Sequence, residues 1–462
     1  MNNEEEQPAW PSETYAWYVV FILCVCGMVA FVDRQIINLL VEDIKQDLQI
    51  SDTQISLLQG LAFALFYGVM AIPLGRLADT GNRRWIIAIG AVVWTAAAIA
   101  CGLARSFWQL FAARTAVGVG EATLTPAGFS MLADLFRPQR LALPISVYTG
   151  SSFFGSGIAL IAGGAVIAWL ARFDSIDLPL VGTVATWQAA FIIAALPGLL
   201  VAAVFFLTVA EPRRRRGIRL AASDADTRDK PTFKEVWEFV VANRRVFAAV
   251  FGGVSVLAAT QFAMGAWVPA FFIRDYGWTP SQVGYTYGLI FLLSGTLGVI
   301  SGGWLADWFQ KRGHRDGHLR VALLSALCTL PFAIGFPLIG NVAMTVGLLA
   351  LAVFFGTMAF GAGPALIPFI APPRMRGLLV AAYLLIANLV GQAGGPWLVA
   401  VFTDYVFGAP ELVRYSLAVV PPALLVLGAL LVASGMADLR RLLTLPLSND
   451  GPAAAAGRAM GT

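Results

Sequence analysis

Residues 75–84 read GRLADTGNRR, and residues 302–313 read GGWLADWFQKRG. Each stretch follows a long apolar run. Their shared LAD ends at Asp79 and at Asp307, 228 residues apart. A polar loop that recurs at one interval implies that the apolar segments before it recur as well. The chain therefore reads as a duplication of two units in the same orientation.

The composition says what the apolar runs are. The 462 residues are 58% hydrophobic and 13% charged, with a mean hydropathy of +0.75. Soluble domains are about a quarter charged, and a helix needs about 20 apolar residues to cross a bilayer. Twelve such segments follow along the chain. Spans 1–6 cover roughly 16–40, 54–78, 85–104, 107–135, 140–170 and 186–209, and spans 7–12 roughly 246–273, 281–306, 319–340, 343–370, 376–403 and 413–436. The expected fold is all-α in the membrane, with twelve transmembrane helices in two pseudo-symmetric six-helix bundles. The implied domains are a tail at 1–14, a bundle at 15–210, a linker at 211–244, a second bundle at 245–438 and a tail at 439–462. Within the linker, PTFKEVWEFVVANRR has helical apolar spacing suited to a membrane surface.

Charge distribution orients the layout. With both termini cytoplasmic, only Lys45, Arg105, Arg172, Arg274 and Arg414 fall outside, while Arg34 and Arg114 stay within spans. The remaining basic residues are cytoplasmic, as the positive-inside rule requires. The start MNNEEEQPAW lacks the basic region and cleavage site of a signal peptide. A multi-pass protein of the plasma (inner) membrane is expected. The four cysteines lie in apolar runs and His314 and His318 in a polar loop, so neither disulfides, a metal site nor His-based catalysis is expected. The formal charge of +4 comes from loop arginines and gives no argument for nucleic acid. Neither an enzyme nor a cofactor is expected.

Parallel duplicated halves are a transporter architecture, with the substrate site at mid-membrane between them. The G-x-L-A-D-x-G-x-R-R loop resembles the signature loop of the major facilitator superfamily. That resemblance implies a conformational gate of Gly75, Asp79, Arg83 and Arg84. Asp79 would approach the positive end of span 11 near Arg376, with Arg83 and Arg84 as salt-bridge partners, Gly75 allowing close helix approach and the chain turning at Gly81. Asp307 would act likewise against span 5. The plainer alternative is a loop that only anchors the inner face. Further elements narrow the likeness: RTAVGVGEATLTPAGFSMLADLF from Arg114, DRQIIN from Asp33, LLQG at 57–60 and GSSFFGSGIALIAGG from Gly150. Together they resemble the Spinster family of lysolipid transporters.

Four charges lie deep in spans: Asp33 and Arg34 in CVCGMVAFVDRQIINLL of span 1, and Arg114 and Glu121 in span 4. Each costs about 2.5–3.5 kcal/mol at a helix centre, so such groups line cavities and pair with one another. Arg114 and Glu121 are seven apart and share a helix face. Asp33 and Arg34 diverge by about 100° and can both border a wide cavity. The duplication provides a control. An offset of 228 sets Gln261 and Phe262 opposite Asp33 and Arg34. Aligning GVGEATLTP from Gly118 with GTMAFGAGP from Gly356 sets Ala352 opposite Arg114 and Ala359 opposite Glu121. The ion chemistry is confined to the first half. An ion-pair lock without a transport role is the plainer alternative.

The expected function is alternating-access transport of an amphipathic anionic lipid, lysophospholipid or sphingosine-phosphate-like, coupled to protons. Asp33 and Glu121 are the proton-coupling candidates. Arg34 and Arg114 would take the anionic head group, with Gln261 and Asn388 (and Tyr383 and Gln392) offering neutral hydrogen bonds. Phe31, Phe63, Phe66, Tyr67 and Trp267 are candidates for an acyl-chain wall, although packing explains most such aromatics. Arg213–Arg216 reads as an orientation anchor near anionic lipid. Expected partners are the substrate, protons and membrane lipids, with the monomer as functional unit. A proton-coupled carrier of a small organic anion or drug is the alternative.

Overall fold

The computed structural model describes residues 10–137, 140–173, 176–178, 182–214, 232–360, 362–372 and 375–444. The expected tails before Trp10 and after Thr444, most of the linker, and Arg215 and Arg216 of the four-arginine run lie outside the described residues.

Ten described helices are long and apolar enough to cross a membrane. They are Glu13–Leu39, Asp52–Thr80, Arg83–Gly102, Leu143–Leu170, Thr186–Thr208, Arg244–Tyr276, Pro280–Lys311, Gly317–Leu338, Arg376–Phe407 and Pro410–Leu443. They correspond in order to the expected spans 1–3, 5–9, 11 and 12. Spans 4 and 10 are each interrupted, into Phe107–Glu121 and Leu124–Leu135, and into Val342–Thr357 and Ala362–Ile370. The second pieces start 238 residues apart, the register taken from the glycine-to-proline spacing. At both breaks the backbone tightens to three-residue hydrogen bonds, Thr123 N to Gly120 O at 3.3 Å and Phe360 N to Thr357 O at 3.2 Å.

Spans 2 and 8 carry the duplication in detail. Span 2 starts with a capping box: Gln54 N donates to Ser51 Oγ at 3.2 Å and Ser51 N to Gln54 Oε1 at 3.0 Å. Span 8 repeats it 228 residues later with Thr279 and Gln282, at 3.3 and 2.9 Å. Such boxes satisfy N–H groups that the helix itself leaves open. Further along, Gly60 and Gly288 hold equivalent positions. A Cβ on Gly60 would lie 2.5 Å from Gln392 O of span 11, and one on Gly288 would lie 2.8 Å from Gly157 O of span 5. Gly60 closes LLQG, and Gly157 lies within GSSFFGSGIALIAGG. Both motifs are places where helix backbones meet.

Two compact units result. The first holds residues 1–50, 66–227 and 279–292, and the second holds 51–65, 228–278 and 293–462. The opening turns of spans 2 and 8 therefore each join the unit built mainly from the other half of the sequence. The second unit has an apolar core that includes Phe247, Phe251, Ile367, Ile370, Leu379 and Val432. Outward-facing apolar side chains such as Leu207 (76% exposed) suit contact with lipid rather than water. Outside the spans, the linker forms the expected helix, Phe233–Ala242. A short helix, Val41–Leu48, and an antiparallel strand pair, Ile176–Leu178 with Gly182–Val184, were not expected.

Candidate functional site

The four charges of spans 1 and 4 meet within the first unit. Arg34 Nε donates to Glu121 Oε2 at 2.6 Å, and its terminal nitrogen completes an ion pair with the same oxygen. Arg114 donates to the main-chain oxygen of Asp33 at 2.8 Å. Because Arg114 and Glu121 share one face of span 4, each reaches a neighbouring residue of span 1. Asp33, Arg114 and Glu121 are each 1% exposed. Glu121 Oε1 and both carboxylate oxygens of Asp33 have no hydrogen-bond partner among the described residues. A buried polar group left so costs about 1–3 kcal/mol, more when charged, and asks for an explanation in function.

Arg34 and Glu121 line a cavity of about 120 Å³. Phe31 and Tyr67 line it too, with their rings 4.9 and 5.2 Å from the Arg34 guanidinium carbon. Thr125, Tyr148, Ser151 and Ser152 add hydroxyls that the sequence reading missed. Only their spacing along spans 4 and 5 could have suggested them. Asp33 and Arg114 are not part of this wall. The cavity thus offers one partly exposed guanidinium, a carboxylate, hydroxyls and aromatic faces, which is a set suited to a small anionic group.

The second half is neutral at the matching positions. Ala352 and Ala359 are buried at 0% and 3% exposure. Gln261 is 5% exposed, lies against Gly356, and finds no hydrogen-bond partner for its amide among the described residues. Asn388 donates to Leu384 O of its own helix at 2.7 Å. Tyr383 packs edge-on against Phe251. Trp267 and Phe63 are fully buried, and the Trp267 indole N–H donates to Pro396 O at 2.9 Å. These two rings are packing elements rather than an open acyl-chain wall.

The loop after span 2 departs from expectation in its pairing. Arg83 is fully buried, with Glu211 Oε1 at 2.7 Å from Nε, Asp134 on one terminal nitrogen and Pro212 O at 2.8 Å from the other. Arg84 offers its main-chain N–H to Glu211 Oε2 at 2.8 Å and its Nε to Phe206 O at 2.8 Å. Asp134 and Glu211, rather than Asp79, are the carboxylates held by these arginines, because the start of span 3 packs beside the ends of spans 4 and 6. Arg214, from the four-arginine run, caps the loop through the main-chain oxygens of Ala78, Asp79 and Gly81. It is a specific structural contact as well as a positive charge. At Gly81 a Cβ would come within 2.9 Å of Leu77 O, but at Gly75 the nearest atom would be Pro126 Cβ at 3.9 Å. The close approach expected of Gly75 is not used in this structure. A helix starts at Arg376, and Asp307 is exposed in the last turns of Thr296–Lys311.

A second charged cluster lies in the other unit, and the sequence reading missed it. Asp52 accepts two bonds from Arg274, at 2.7 and 2.8 Å, and Arg274 also donates to Pro410 O at 2.9 Å. Beside it, Asp404 Oδ2 takes the Thr53 main-chain N–H at 2.7 Å and its hydroxyl at 2.6 Å. The Asp52 and Arg274 side chains are 0% and 6% exposed. Arg274 read as an external loop cation, whereas it sits in the last turn of Val254–Tyr276. Its partner lies 222 residues away, and no local spacing marks such a pair.

Comparison with known proteins agrees with this geometry. A family profile described as Major Facilitator Superfamily matches residues 23–396. The chain is 29% identical over 389 residues to an MFS-type efflux pump of Mycolicibacterium smegmatis, covering 84% of this chain and 85% of that one. It is 26% identical over 399 residues to Protein spinster of Drosophila melanogaster, covering 84% of this chain and 62% of that protein. Among solved structures it is similar to a bacterial homologue of the human lysosomal transporter Spinster, in an inward-facing and unoccupied conformation. The TM-score there is 0.72 at 25% identity, over 94% of this chain and 95% of that one. With duplicated halves, apolar spans and a matched profile over most of its length, the chain belongs to the Major Facilitator Superfamily and is a multi-pass integral membrane transporter.

Proposed function

We propose that this transporter moves an amphipathic anionic lipid, of lysophospholipid or sphingosine-phosphate type, by alternating access coupled to protons. The observation that carries this reading is the Arg34–Glu121 pair on a cavity wall, next to a buried Asp33 carboxylate with no hydrogen-bond partner among the described residues. Protonation of Glu121 weakens its hold on Arg34, and the freed guanidinium then takes the anionic head group. Asp33 carries the second proton beside Arg114, which tunes the charge of the set. Gln261 and Asn388 contribute from the neutral half. Since drug-sized pockets run to about 300–1,000 Å³, a cavity of about 120 Å³ holds a head group and leaves an acyl chain outside it.

The inner gate uses Gly75, Asp79, Arg83, Arg84, Asp307 and Arg376, with both termini cytoplasmic and the monomer as working unit in the plasma (inner) membrane. The Asp52–Arg274 and Thr53–Asp404 contacts act as an outer latch that opens once per cycle. Counterflow of labelled lysophospholipid in proteoliposomes tests the substrate class: saturable exchange supports it, and its absence alongside exchange of a non-lipid anion overturns it.

A second reading, proton-coupled efflux of a small organic anion or drug, is favoured by the similarity to the Mycolicibacterium smegmatis efflux pump and by the same small cavity. Competition between lysolipid and a small anion for one uptake signal separates the two.

A further inference from the structure

Away from the central charges, a cavity of about 320 Å³ opens in the second unit among Asn243, Arg244, Arg245, Asp438, Arg441 and Leu442. We propose that it binds the phosphate head group of an anionic membrane lipid, independently of what the central cavity carries.

Three observations point there. The first is charge. Three arginines and one carboxylate line the cavity, and that carboxylate, Asp438, is shared at long range between Arg245 at 3.6 Å and Arg441 at 3.9 Å. Both arginine side chains stay mostly exposed, at 70% and 85%. Among the lining residues arginines outnumber carboxylates three to one, and guanidinium forks suit phosphate oxygens.

The second is depth. Arg244 and Arg245 open the apolar helix Arg244–Tyr276, while Arg441 closes Pro410–Leu443. Two spans end at the cavity, so it lies at a membrane boundary, where lipid phosphates are.

The third is the neighbouring helix, Phe233–Ala242. It turns Val236 and Phe239 into the protein, at 7% and 9% exposure, and leaves Trp237 and Val241 outward at 61% and 47%. An amphipathic helix with an outward Trp suits the layer of head groups, and it leads directly into Asn243. A soluble phosphate would make no use of this apolar face.

The test uses the full chain in phosphatidylcholine nanodiscs with and without phosphatidylglycerol, reading thermal unfolding and lipids retained in native mass spectrometry. Phosphatidylglycerol should raise the unfolding temperature and be retained, whereas inorganic phosphate should do neither. The R244Q/R245Q/R441Q variant should retain phosphatidylglycerol about tenfold less or worse, since each such charge contributes about fivefold near an anionic surface. Asp438→Asn, which removes the competing carboxylate, should strengthen retention by about the same factor as one added charge. An unchanged lipid response in the triple variant overturns the proposal. If that variant does not fold, unchanged or weaker retention by Asp438→Asn overturns it instead. An equal shift from inorganic phosphate would make the ligand a free anion and overturn the lipid assignment.

Discussion

Arg34 of span 1 and Glu121 of span 4 form a charge-assisted hydrogen bond of 2.6 Å on the wall of a cavity. A buried pair costs about 3–5 kcal/mol when one partner is removed. That figure is an upper bound here, since the Arg34 side chain is 20% exposed and solvent screens it. Glu121→Gln, which keeps shape and loses charge, should unfold at lower denaturant than the wild type and transport with a flattened pH profile. Denaturation in detergent and uptake between pH 5.5 and 8 check both parts. A wild-type pH profile would contradict the role given to Glu121.

Asp33 should respond differently. Its carboxylate has no hydrogen-bond partner among the described residues, so Asp33→Asn removes a charge without breaking such a bond. Stability should be unchanged or higher, while uptake driven by a proton gradient falls at least about a hundredfold, in the range of a lost proton-transfer group. Counterflow without a gradient should survive. Loss of both activities together would mean that Asp33 has a binding or structural role.

The Asp52–Arg274 pair is buried on both sides, at 0% and 6% exposure. Asp52→Asn and Arg274→Gln should each destabilise by about 3–5 kcal/mol. The double variant should lose less than the sum of the two, giving a coupling energy of at least about 1 kcal/mol in a double-mutant cycle. In the working cycle the same substitutions should raise labelling of a cysteine placed at Thr403 or Ser416, which are buried in this structure. Additive stabilities and unchanged labelling would remove the latch from the mechanism.

The glycines of spans 2 and 8 offer an internal contrast. Gly60→Ala and Gly288→Ala would each press a Cβ against backbone, 2.5 Å from Gln392 O and 2.8 Å from Gly157 O. Each should destabilise by about 1–3 kcal/mol, the usual range for overpacking. Gly75→Ala, with 3.9 Å to spare, should leave stability in this conformation unchanged. A transport defect in Gly75→Ala at normal stability would show that Gly75 is needed in another conformation of the cycle.

Much of this was legible in the sequence because hydropathy has one cause and acts over whole helices. The spans follow from it, while the 228-residue register came from the recurring LAD loops and recurs in the capping boxes at Ser51 and Thr279. The neutral partners of the four charges were legible from that register and from the 238-residue glycine-to-proline alignment of spans 4 and 10. Pro126 in GEATLTPAG and Pro364 in PALIPFIAPP pointed to broken or bending helices, and spans 4 and 10 are interrupted beside them. Pairing was the least legible part. Arg83 selects Glu211 and Asp134, at separations of 128 and 51 residues, and Arg274 selects Asp52 at 222. Such choices depend on which helix ends come together, and no local spacing carries that information. A charge assigned to a loop, as Arg274 was, can then turn out to be buried.

The central claim is that proton movement through Asp33 and Glu121 drives movement of an anionic lipid. Lysophospholipid flux in proteoliposomes under imposed pH gradients of either sign tests it most directly. The account predicts net flux that reverses when the gradient reverses, and a response to the gradient that is lost in Asp33→Asn and Glu121→Gln. Flux that ignores the gradient, or that follows it equally in both variants, would contradict it.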